Sequence, residues 1–209
     1  MQQMQAPTPV FTRTAADRRA HLMRELVETL LFVGLIFLIV QFAIKPYRIV
    51  GLTMQPQLQP DQLVVVNRTA FLFAGPSRGD VVVYDNPNPA QKGQQLIGRV
   101  IAIPGDRIAI GPNQVILNGV PLQETYVDST SGANQSPVIM AETKMGKDDY
   151  FIMNDNRLAV DSATQHVQDS RTLGDVPRNN IVGKAVVVFW PLKNFGGISN
   201  FSSVFANVH

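Results

Sequence analysis

A single membrane-spanning helix followed by a mainly β domain of antiparallel strands is the fold class that this chain of 209 residues predicts. Three observations lead there. Residues 29–44, TLLFVGLIFLIVQFAI, run for sixteen positions without a charge. Beyond Pro46, short segments rich in valine and isoleucine recur between Gly, Pro, Asn and Asp, which is the pattern of strands bounded by turns. No segment after Pro46 keeps an apolar 3.6-residue period over ten positions.

The first dozen residues, MQQMQAPTPVFT, hold too little apolar surface to order themselves, and residues 1–25 are expected to be a disordered tail. A membrane helix is expected over 26–45. The charge-free run spans about 24 Å at ~1.5 Å per residue, short of a ~30 Å hydrocarbon core, so Leu26 and Val27 must extend it, with Glu28 near the headgroups. A buried core helix would need apolar surroundings that no other segment supplies. A removable leader would need a small-residue cleavage site, which IKPYRIVGL lacks. Arg13, Arg18, Arg19 and Arg24 precede the run and only Lys45 and Arg48 follow it. That bias puts the N-terminus in the cytoplasm and residues 46–195 outside the plasma membrane, with 196–209 as a C-terminal tail.

Strands are expected at QLVVVN (62–67), DVVVYD (80–85), LIGRVIAI (96–103), DYFIMND (149–155) and GKAVVVFWP (183–191). Asn118-Gly119 inside QVILNGVPL marks a hairpin. Long loops are expected over 129–148 and 158–175. A net charge of +2 with no Lys/Arg cluster beyond the N-terminus excludes a nucleic-acid partner. There is no cysteine, and His21, His166 and His209 lie far apart, so no metal site or cofactor is expected.

Three motifs carry the functional reading. They are GLTMQPQL (51–58), GRVIAIPGD (98–106), and NDNR (154–157) continued by DSR (169–171). Their order behind an N-terminal anchor resembles bacterial type I signal peptidases, from about residue 26 to Pro191. The resemblance implies an antiparallel β domain of the signal peptidase type and a serine–lysine endopeptidase that removes signal peptides from exported proteins. A neutral, buried lysine takes the proton of the serine as it attacks. It also implies partners: signal peptides of exported preproteins, the lipid bilayer, and an active signal peptidase or the translocation machinery.

Residue by residue the match departs where chemistry is done. The family pattern Gly-x-Ser-Met-x-Pro-Thr-Leu becomes Gly51, Leu52, Thr53, Met54, Gln55, Pro56, Gln57, Leu58, so Thr53 holds the position of the nucleophile. Its methyl crowds the oxygen and restricts χ1. Gly51, Met54 and Pro56 fall at oxyanion and groove positions, and the N–H of residue 53 is an available oxyanion donor. The lysine expected before Arg99 is Gly98, which has no proton acceptor. Losing a general base costs ~10²–10⁴ in rate, and ~10⁶ where nucleophile and base act as a unit. Lys92 is the nearest substitute in sequence and cannot occupy the same strand position.

The remaining matches are to the scaffold. Arg99, Pro104, Gly105 and Asp106 fit the second motif. Asp155, Asp169, Ser170 and Arg171 fit the third, where they are expected to brace the loops through carboxylate–guanidinium bonds. Asn154 replaces a glycine and is tolerated there through its ease at positive φ. Eleven residues, LAVDSATQHVQ, separate Arg157 from Asp169, about seven more than the pattern has. Asp161, Ser162 and His166 are neighbours in that insertion, read as a solvated loop rather than a triad. The expectation is weak or absent proteolysis. Three readings follow: a working peptidase with an unidentified base, a non-catalytic binder of signal peptides or partners, and a membrane-anchored scaffold.

Overall fold

The computed structural model describes residues 15–127, 136, 138–160 and 166–209. The first dozen residues, together with Asp161 and Ser162 of the insertion, lie outside them. The chain forms two units, Met1–Phe42 and Ala43–His209.

The described part of the first unit is helical. Helix α1 runs from Ala15 to Ala43, starting eleven residues earlier and ending two earlier than expected. His21–Ala43, 23 residues, is apolar and exposed all round, long enough at ~1.5 Å per residue to cross ~30 Å of hydrocarbon. Its polar start is laced by pairs one turn apart, Arg24 Nε to Glu28 at 2.7 Å and His21 to Glu25 at 3.2 Å.

The second unit is antiparallel throughout. In chain order its strands are β1 (Ile44–Arg48), β2 (Leu63–Asn67), β3 (Val81–Asp85), β4 (Gln95–Ala102), β5 (Arg107–Ile110), β6 (Val115–Leu117), β7 (Val120–Pro121), β8 (Met140–Lys144) and β9 (Asp149–Met153). A single helical turn, α2 (Ser170–Leu173), precedes β10 (Val176–Pro177), β11 (Ile181–Trp190) and β12 (Gly196–Gly197). One sheet has the order β1-β2-β11-β3-β4-β9-β10, with β12 paired to β11, and the second has β7-β6-β5-β8.

Patterning accounts for where each strand sits. LVVVN of β2 alternates half-buried with buried, as a strand with one covered face does, whereas VVVY of β3 is buried on both faces. Asn118 and Gly119 both take positive φ, 50° and 79°, which closes the expected hairpin between β6 and β7. Two strands correct the sequence reading. β1 begins at Ile44, inside the expected helix, because Ile44–Arg48 pairs along its whole length with β2. β8 lies within an expected loop and is held by pairing with β5. The C-terminal segment is not a loose tail either, since Phe205 and Val208 are buried against Ile101, Ile108 and Leu117.

The sheets join at the turn Ile103–Asp106. Gly105 has φ +90°, which only glycine adopts freely, and the Asp106 N–H donates to Ile103 O at 3.0 Å. The Asp106 carboxylate accepts from Arg78 Nε (2.9 Å) and Nη2 (2.6 Å), the Ile103 N–H (2.9 Å) and the Asn118 amide (3.0 Å). Burial alone would push this carboxyl up, but the donors outweigh it and hold it below its ordinary 3.8.

A depressed carboxylate pKa contributes stability that is present above the unfolded value and lost as pH falls through the folded one. Asp106→Asn is therefore expected to lower stability near pH 7 by about 1–3 kcal/mol. The gap from the parent should narrow as pH drops below 3.8. Denaturant midpoints across pH check this, and a gap constant with pH would contradict it.

Candidate active site

The site is built around the middle of β4. Arg99 faces Met153 across the β4–β9 pair and is fully buried. Nε and Nη2 of its guanidinium grip the two Asp155 oxygens at 2.8 and 2.7 Å. Nη2 also donates to Gln57 Oε1 at 2.8 Å, and Nη1 to the carbonyls of Gly79 (2.8 Å) and Ser199 (3.0 Å). The group lies over the Tyr126 and Phe201 rings, 4.5 and 5.2 Å from their centroids. Burial pushes the Asp155 carboxyl above its ordinary value while Arg99 pulls it down.

The second expected pair is equally closed. Arg171 Nη2 meets Asp169 Oδ2 at 2.7 Å with both side chains fully buried. Asp169 caps α2 through the Arg171 N–H at 3.0 Å. It also accepts the Asn154 N–H at 2.9 Å, while Ser170 Oγ accepts the Ile152 N–H at 3.0 Å. Arg157 pairs with Glu124.

The loop 51–58 is pinned onto this frame. Gly51 turns the chain with φ +74°, and Met54 and Leu58 sink into a cluster with Ile49, Val64 and Ile97. Asn156 donates its N–H to Thr53 O at 2.9 Å and its amide to Leu52 O at 3.1 Å. Gln57 reaches past to Arg99 and donates to Ser199 O at 3.3 Å. The three motifs thus converge on one region. Met54 is fully buried, whereas Pro56 and Gly51 are exposed.

Among the described residues, a free proton acceptor is what the region lacks. Thr53 is half-buried, and among the described residues its hydroxyl has no hydrogen-bond partner. A lysine becomes a base only where burial disfavours its ammonium form. All six lysines are exposed or half-buried, Lys92 among the exposed. Lys45 is directed to Gln95 (3.0 Å) and Lys184 to Asp80 (2.6 Å). Both nearby carboxylates, Asp155 and Asp169, are committed to guanidinium groups. His166 is exposed. Among the described residues no His/Cys/Asp/Glu group could hold a metal.

Position 98 is closed as well as bare. A Cβ built on Gly98 would stand 2.7 Å from Ile152 Cγ2 and 3.2 Å from Met153 O. The β-branched Ile152 cannot swing away as a flexible chain end would. Asn154 takes no positive φ, so left-handed tolerance is not what preserves its turn. Gln57, Asn156 and the Tyr126–Phe201 pair were not legible as site residues. Gln57 gave a signal as a departure within a matched motif, and Asn156 as a member of the matched NDNR. A cleft of about 240 Å³ borders Gln57, Gln62, Val188 and Ile198, and a larger one of about 570 Å³ borders Arg78, Pro104, Tyr150 and Phe205.

Residues 22–190 match the family model described as signal peptidase, peptidase S26. Signal peptidase I of Leptolyngbya laminosa is 33% identical over 150 residues, covering 69% of this chain and 68% of that protein. Signal peptidase IB of Staphylococcus aureus is 28% identical over 189 residues, covering 82% and 93%. A crystal structure of a signal peptidase I from Enterococcus faecalis V583 aligns with 52% of this chain and 95% of its own, at 24% identity and a TM-score of 0.40.

Because the neighbouring strand fills the space beside residue 98, Gly98→Ala is expected to destabilise the β domain by about 1–3 kcal/mol. Pairing it with Ile152→Ala should return part of that loss. Thermal melts of the four proteins check this, and strictly additive shifts would contradict it.

Proposed function

The chain belongs to the signal peptidase family, peptidase S26, and on that premise we propose that it engages signal peptides of exported preproteins while cleaving them weakly or not at all. It is a signal peptidase I-like membrane protein with one apolar N-terminal helix. The observation that carries the reading is Gly98. The backbone there offers no proton acceptor, and Ile152 and Met153 crowd the space from which one would act. An alcohol with its proton in place does not attack an amide at a useful rate.

Several features support a binding role. The guanidinium network holds the loop 51–58 in place without using either dyad position, so a groove shaped by that loop does not depend on catalysis. Arg13, Arg18, Arg19 and Arg24, all before the charge-free run, favour a cytoplasmic N-terminus. The β domain then faces the side where signal peptides emerge, and an active signal peptidase or the translocation machinery would be the partner that completes processing.

Incubating the detergent-solubilised full chain with a preprotein, read by mass spectrometry, tests this. Wild type and Thr53→Ala are expected to give the same background, with the signal peptide retained by crosslinking. Cleavage at the signal-peptide junction that disappears in Thr53→Ala would overturn the inactive reading. Neither cleavage nor crosslinking would leave only a scaffold.

A further inference from the structure

Asn154 is fully buried, yet among the described residues neither the nitrogen nor the oxygen of its side-chain amide has a hydrogen-bond partner. Buried polar groups left unpaired are few in folded proteins, and each asks for a reason. Register supplies one. β4 and β9 pair with Arg99 opposite Met153, so one further step sets Asn154 opposite Gly98. The N–H groups of Ile152 and Asn154 both leave β9 on the same edge, for Ser170 Oγ (3.0 Å) and Asp169 Oδ2 (2.9 Å). The pleat therefore continues through residue 154, and its side chain shares the face of Ile152.

That is the face onto which a side chain from 98 would grow, since a Cβ there meets Ile152 Cγ2 at 2.7 Å. Tyr84, opposite Leu96 on β4, places on this face another buried hydroxyl without a partner among the described residues. Two residues beyond Asn154, Asn156 clasps Thr53 O. Residue 154 thus lies between the strand position of the missing base and the loop that carries the hydroxyl.

We propose that Asn154 fills, from β9, the polar space that a base at 98 would use, so that residues 98 and 154 act as one coupled pair. This deepens the inactive reading and rests on it. A carboxamide nitrogen has no lone pair free to take a proton, so the exchange supplies bulk and polarity without basicity. Where the family pattern has a long residue at 98 and glycine at 154, this chain has glycine at 98 and the longer residue at 154. Installing a lysine at 98 then requires Asn154 to shrink.

Two restored versions of the full chain test this in the preprotein assay, Thr53→Ser with Gly98→Lys, and the same with Asn154→Gly added. The second is expected to cleave well above the first. Equal cleavage by both overturns the proposal. If neither cleaves, melting temperatures of Gly98→Lys, Asn154→Gly and their combination decide. Recovery by Asn154→Gly of part of the drop caused by Gly98→Lys upholds the coupling, and additive shifts overturn it. Cleavage by wild type would sink the inactive reading instead, while the melts would still report on the pair.

Discussion

The buried guanidinium of Arg99 is the point on which the β domain turns. Its five N–H donors are all taken, by Asp155, Gln57 and the carbonyls of Gly79 and Ser199. These partners come from four separated stretches of chain, and two rings cover the group, Tyr126 from a fifth stretch and Phe201 from beside Ser199. A buried ion pair adds little net stability against an apolar substitute, but removing one partner strands the other at about 3–5 kcal/mol. Any change in Arg99 or Asp155 would release the loop 51–58, the C-terminal segment and the 154–157 turn together.

That dependence separates scaffold from chemistry. Thr53 is held by its own carbonyl, which accepts from Asn156, and by the burial of Ile49 before it and of Met54 and Leu58 after it. None of these contacts uses the hydroxyl, and none uses a side chain at 98. The two positions that carry out proteolysis in the family pattern can therefore change while the surrounding geometry persists. Among the described residues, the Asp155 and Asp169 carboxylates that remain are paired with Arg99 and Arg171.

What the sequence made legible follows the range of the forces involved. β2, β3, β4, β9 and β11 are β-branched runs bounded by turn residues, and Asn118-Gly119 requires positive φ locally, so each could be read in place. β1 was hidden because IKPYR continues an apolar helix and contains a proline, and only its pairing with β2 makes it a strand. β8, MAETK, is almost wholly exposed and has no alternation to detect. Phe201, Phe205 and Val208 sit in a mostly polar ending, and their burial depends on a sheet formed a hundred residues earlier. In the site, motif spacing was enough to place Thr53, Gly98 and the Arg–Asp pairs. The part played by Asn154 needed the β4–β9 register, and that of Gln57 needed the position of Arg99 in space.

The most direct test of whether the Thr53 hydroxyl has a base is its reactivity towards an acyl donor that needs no protein-substrate recognition. Full-length protein would be incubated near neutral pH with a small activated ester and read by intact mass and peptide mapping. Thr53 is expected to stay unmodified in the folded protein and in an unfolded control over the same time. An acyl group mapped to Thr53 in the folded protein alone would show that some group does remove its proton.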